Sequence, residues 1–217
     1  MIFADRIHAG EVLADELTKL KLNSKESVVA AIPRGGVIVG WVIAQRLKIP
    51  LTVVVIKKIG APFNSELAIG AVASHGAPVL DYSLIAELGV SKDYLKKETI
   101  KKRREAKTRE KLLGCEISED QFRDKTVIVV DDGLATGQTA KAATKIIAAF
   151  GPQKLILAVA CASPQALDLL SESYDKVICP AISADFMAVG QFYRDFRPVD
   201  DEQVKVIIKK QLTPVES

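Results

Sequence analysis

Val129 to Thr139 reads VVDDGLATGQT, two adjacent carboxylates followed by a loop of small and hydroxylated residues. Carboxylates at the end of an apolar strand can accept hydrogen bonds from vicinal sugar hydroxyls, as an acidic residue does with ribose in dinucleotide folds. Asp131 and Asp132 are the candidates for that role. Beyond them, Gly133, Ala135 and Gly137 let backbone N–H groups approach an anion, and Thr136 and Thr139 add hydroxyl donors. Leu134 and Gln138 complete the loop, and a helix beginning near Gln138 turns its positive end toward it. A ribose 5-phosphate group presents the matching hydroxyls and phosphate. Two other phosphate loops fit poorly. A Walker A loop needs a lysine after its last glycine, where Gln138 and Thr139 stand here; a Rossmann fingerprint needs three spaced glycines, and only Gly133 and Gly137 are present. An ordinary capped turn would also use Asp and Gly, but here acids, glycines and threonines all find a place in a sugar-phosphate site.

A second constellation, AIPRGG from Ala31 to Gly36, closes the first apolar run. Arg34 supplies a guanidinium fork for phosphate oxygens, and Gly35 and Gly36 permit close backbone approach and unusual dihedrals. Standing alone, it reads more readily as a Pro- and Gly-containing turn with a surface arginine. Its place at the same sheet edge as Asp131 favours an anion site. Lys57 and Lys58 follow the next apolar run, where one of them could meet the same anion or both could simply be solvated.

These groups need a frame that brings strand ends together. Lys125 to Val130 is apolar and β-branched almost without a break, the pattern of a strand buried on both faces of a parallel sheet. Further strands are expected at Ser27 to Ile32, Leu51 to Ile56, Lys154 to Cys161 and Asp175 to Cys179, with helices at Val37 to Leu47 and Gln138 to Phe150. The alternation predicts an α/β fold, a central parallel sheet flanked by helices. From about Ile59 to Arg123 the pattern is interrupted by a Gly- and Pro-marked stretch, a short hairpin and a long polar helix. The first residues, MIFADRIHAGEVLADEL, read as an amphipathic helix and not as a signal peptide.

With 217 residues the chain can bury a substantial single-domain core, and its net charge of +3 does not by itself argue for nucleic acid. Cys115, Cys161 and Cys179 are odd in number and lack CxxC spacing, so neither a disulfide framework nor a zinc site is indicated. No apolar run reaches membrane-spanning length, and a cytoplasmic protein is expected. Ser91 to Leu113 is rich in Lys and Arg, yet Glu98, Glu105 and Glu110 supply partners at helical spacing and no stacking aromatics accompany it. That stretch reads as a solvated helical face more than as a nucleic-acid surface.

Taken together, PRGG, KKIGAP, ELAIGAV and VVDDGLATGQT resemble the type I phosphoribosyltransferases, most closely a group of bacterial and archaeal members without an assigned nucleobase. The resemblance runs from about Ser27 to Asp195. It implies one domain over 1–217: a core of about 27–58 and 124–180, an inserted segment of about 59–123, and a hood from about 181 joined by the N-terminal helix. The implied donor is phosphoribosyl pyrophosphate (PRPP), with Asp131 and Asp132 on its hydroxyls, Gly133 to Thr139 on its 5-phosphate, and Arg34, Gly35, Gly36 and Lys57 or Lys58 on its pyrophosphate. Mg²⁺ held largely by PRPP's own oxygens, a small-molecule nitrogen acceptor, a closing loop and a homodimer are implied as well. Hypoxanthine-type enzymes carry an aspartate where Ala135 stands here, and adenine enzymes carry alanine. Within NSELAIG, Glu66 is nominated as a proton carrier; within ADFMAVGQFYRDF, Phe186 is nominated to stack on the acceptor, although Asp195 lies one residue out of register with the family's base-reading acid. The alternative class is a PRPP- or nucleotide-sensing regulator of the same fold.

Overall fold

The computed structural model describes residues 1–212, apart from the side chains of Glu66, Gln211 and Leu212. A first helix α1 (Arg6–Thr18) is followed by β1 (Ser27–Ala31), α2 (Gly35–Leu47) and β2 (Leu51–Val53). The inserted segment contains β3 (Lys57–Ala61), β4 (Asn64–Val72), β5 (Val79–Leu80), α3 (Tyr82–Glu87) and α4 (Lys92–Leu113). The core resumes with β6 (Thr126–Asp131), α5 (Gln138–Ala148), β7 (Lys154–Val159), β8 (Cys161–Ala162), α6 (Pro164–Asp168), β9 (Lys176–Ile178) and β10 (Ala181–Ile182), and α7 (Asp201–Leu212) ends the described chain.

Five strands form a parallel sheet in the order β2-β1-β6-β7-β9. Its strands alternate between two cores, as the two-residue period of a strand requires. Val127 and Val129 of β6 face Ala140, Ala143 and Ile147 of α5, whereas Ile128 and Val130 face a cluster with Leu13 and Leu17 of α1 and Ile43 of α2. A sheet buried on both faces explains the unbroken β-branched runs. Burying a Val or Ile side chain is worth about 1.5–3 kcal/mol, so these runs dominate the fold's stability.

The second predicted strand is shorter than expected. Pairing ends at Val53, and Val54 and Val55 are buried in different cores as the chain leaves the sheet. Lys57 and Lys58 therefore do not trail a core strand; they open β3 of a separate antiparallel sheet, β3-β4-β5. The long polar helix is present as α4, with the Ser91 hydroxyl accepting from the Tyr94 N–H and Gly114 closing it in the left-handed conformation. Much of its charge is committed locally: Lys101 and Lys102 pair with Glu98, Arg109 with Asp201, and Arg103 donates to the carbonyls of Ser74 and Gly76. The N-terminal segment is stitched to the hood, with the Phe3 N–H donating to the Phe192 carbonyl and the Arg194 N–H to the Phe3 carbonyl.

Candidate active site

Strands β1 and β6 pair in parallel with Ala31 opposite Val130, so the two segments that follow them emerge side by side at the C-terminal edge. Each runs straight into a helix, and neither helix start is capped by a side chain: Arg34 precedes α2 and Gly137 precedes α5. Two sets of first-turn N–H groups thus flank the acidic pair, the arrangement that attracts anions. Gly137 has a φ of 70°, a left-handed turn that favours glycine and aims α5 at this edge.

Gly35 and Gly36 serve a purpose that composition does not reveal. Neither adopts a positive φ, so the unusual dihedrals expected of them are absent. A Cβ on Gly35 would lie 1.8 Å from Asp132 Oδ2, and one on Gly36 would lie 2.9 Å from the Asp131 Cα. The glycines let the two loops touch. Arg34 is exposed, and no described side chain pairs with its guanidinium.

Within the acidic loop, the residues divide. Leu134 is buried in the core, its N–H donates to the Cys161 carbonyl and its own carbonyl accepts from the Ser163 N–H, so it anchors the loop and has no group free for a ligand. Gly133 is also a packing residue, since a Cβ there would meet Val189 at 2.6 Å and Cys161 Sγ at 2.7 Å. Ala135, Thr136 and Gln138 are exposed, and Thr139 is half-buried at the first turn of α5.

The two carboxylates differ. Asp131 accepts the Asp132 N–H at 2.8 Å, and burial together with the neighbouring Asp132 charge pushes its carboxyl well above the usual range. Asp132 is held by Arg6, whose Nε donates to Oδ2 at 2.8 Å, while the Tyr193 hydroxyl donates to its backbone carbonyl at 2.6 Å. Sequence reasoning misses Arg6 and Tyr193, and no local pattern could find them, because Arg6 lies 126 positions from its partner.

Lys57 and Lys58 point to opposite sides of β3, as neighbours on a strand must. Lys58 lines a cavity of about 340 Å³ between α5 and the β4–β5 hairpin, together with Gln138 and Thr139. Lys57 instead lines a groove against Lys97, Lys101 and Arg104 of α4. Only Lys58 therefore shares a cavity with the acidic loop's helix, although neither aspartate reaches it. Glu66 lies on β4, and its side chain falls outside the described residues. Phe186 is half-buried with its ring against Phe192 at 5.0 Å, and Asp195 is paired with Arg197 at the surface.

The cysteines are free thiols, with burial pushing Cys115 and Cys161 up to about 12, so they are not nucleophiles near neutral pH. Among the described residues no group of three His, Cys, Asp or Glu side chains forms a metal site, and no helix is long and apolar enough to cross a membrane.

Comparison with known proteins agrees with this architecture. A phosphoribosyl transferase domain model matches residues 4–197. A Mycobacterium tuberculosis H37Rv protein with a provisional phosphoribosyl transferase name is 34% identical over 218 residues, covering 96% of this chain and 47% of the relative. The chain thus spans about half the length of the curated relatives it matches. The crystal structure of TT1426 from Thermus thermophilus superposes with a TM-score of 0.85 at 36% identity, over 97% of this chain and 99% of that one. By the domain match over residues 4–197, the relatives and the shared fold, the chain belongs to the phosphoribosyl transferase domain family.

Proposed function

We propose that this chain transfers the phosphoribosyl group of PRPP to a nitrogen heterocycle, most plainly a nucleobase, with release of pyrophosphate. One observation carries the reading: two uncapped helix starts flank a half-buried carboxylate pair at a single sheet edge. A phosphate at each end of a ribose, with hydroxyls between, is the ligand that such a layout complements.

In this reading the first turn of α5, with Thr136 and Thr139, holds the 5-phosphate, and Asp131 and Asp132 accept the ribose hydroxyls. Arg34, the N–H groups of Gly35 and Gly36, and Lys58 hold the pyrophosphate. Lys57, on the other side of β3, is not needed. The transition state gathers positive charge on the ribose and negative charge on the departing pyrophosphate, so positioning, cation placement and water exclusion do the catalytic work. Mg²⁺ would be held mainly by PRPP's own oxygens, with the carboxylate pair supplying hard-oxygen acceptors beside it, and when bound would neutralise the departing pyrophosphate. Glu66 is retained as the proton carrier and Phe186 as an acceptor contact. Ala135 gives the loop no carboxylate for a purine ring, which leaves acceptor choice to the hood. A homodimer belongs to the same proposal.

Pyrophosphate release from Mg-PRPP, screened over a panel of nucleobases with mass detection of the nucleotide, tests the assignment. Formation of a nucleoside 5-monophosphate on one base is expected. Failure to bind PRPP by calorimetry would refute the reading, and PRPP binding without turnover on any acceptor would replace it with the sensing regulator.

A further inference from the structure

Among the described residues Arg6 is the sole buried arginine, 8% exposed. Its guanidinium is engaged on three sides. Nε donates to Asp132 Oδ2 at 2.8 Å, Nη1 donates to the Arg197 carbonyl at 2.9 Å, and the group lies 4.0 Å from the Phe196 ring centroid. Gly35 closes the fourth side: a Cβ there would come within 2.7 Å of Arg6 Nε as well as colliding with the Asp132 carboxylate. Tyr193, from the same hood segment as Phe196, fixes the Asp132 backbone through its carbonyl. Helix α1, the Arg34–Gly36 loop and the hood thus converge on one carboxylate.

We infer that Arg6 is a positioning residue that fixes the Asp132 carboxylate for the ribose hydroxyls and so ties α1 and the hood to the sugar half of the site. The inference rests on the phosphoribosyl reading above. Two adjacent carboxylates repel and would swing apart in a partly buried site. A guanidinium that grips one oxygen of Asp132 offsets that repulsion and leaves the other oxygen to accept from the sugar. The planar fork suits the task because it donates to Asp132 and the Arg197 carbonyl at once while stacking on Phe196, a combination that lysine does not reproduce.

The test compares ribose 5-phosphate with inorganic phosphate by calorimetry, because the phosphate is common to both and only the former engages Asp132. In wild type, ribose 5-phosphate should bind more tightly. Arg6→Ala should weaken ribose 5-phosphate by about tenfold or more, the scale of one charge-assisted hydrogen bond, and leave inorganic phosphate unchanged. Arg6→Lys should recover part of the loss. A general loosening of the fold would weaken both ligands, and that result overturns the inference, as does an Arg6→Ala protein that keeps the full preference. If wild type itself shows no preference, the phosphoribosyl reading fails and this inference with it. Should Arg6→Ala not fold, as judged by thermal melting, Arg6→Lys carries the test, with a several-fold loss on ribose 5-phosphate alone expected and no loss refuting it.

Discussion

Glu110 offers a prediction that can be worked through from one side chain. It lies on α4, 1% exposed, and neither carboxylate oxygen has a hydrogen-bond partner among the described residues. Burial pushes its carboxyl from 4.5 up to about 7, and the nearest hydroxyl, that of Ser74, is engaged with His75 Nδ1. Between those two values the folded protein holds a proton that the unfolded chain has released, so unfolding free energy falls as pH rises through that window. At 1.36 kcal/mol per pH unit the shift from 4.5 to about 7 corresponds to about 3 kcal/mol lost by pH 8 relative to pH 4. Glu110→Gln removes the ionisation while keeping the shape. The variant should therefore gain on wild type by about 3 kcal/mol between pH 4.5 and 8, or roughly 6–12 °C in Tm for a chain of this size. Urea unfolding of both proteins across pH 4.5 to 8.5 measures the difference directly. The buried amide has its own desolvation cost, but that cost does not vary with pH, so only the slope matters. A stability difference that stays flat across the range would refute the account of Glu110 as a buried, unpartnered acid.

Other consequences follow from the site and its packing. Gly35→Ala should drive the Asp132 carboxylate out of place and lower PRPP affinity by about tenfold or more, which calorimetry would register. Lys58→Ala should raise KM for PRPP by several-fold while Lys57→Ala leaves it unchanged, because the two side chains leave β3 on opposite faces; equal effects would contradict the assignment. Gly133→Ala should cost about 1–3 kcal/mol by overpacking against Val189 and Cys161, read as a lower urea midpoint.

Much of the frame is legible without coordinates. The unbroken apolar run of β6 announces a strand covered on both faces, and the sheet buries Val127 to Val130 completely. Ser91 to Leu113 reads as a polar helix, and α4 forms over Lys92–Leu113, because pairing at helical spacing is local. Leu51 to Ile56 reads as a longer strand than the one that forms, since apolar residues leaving a sheet for two different cores look the same as residues within it. Phe186 reads as an aromatic of the hood, but that its ring packs against Phe192 is a contact aromatic spacing alone does not reveal.

The sequence by itself determined the α/β alternation, the acidic pair at a strand end and the phosphate-type loop, all of which arise from neighbours within one strand–turn–helix unit. Only the tertiary structure decided how those parts work on one another. It placed Arg6 on Asp132 across 126 positions, pressed Gly35 against that carboxylate, and set Lys58 in the cavity beside α5 and Lys57 in the groove against α4. The physical reason is that periodicity and capping act over a few residues, whereas the charge, close approach and burial that tune the site are contacts between segments joined only when both cores are packed.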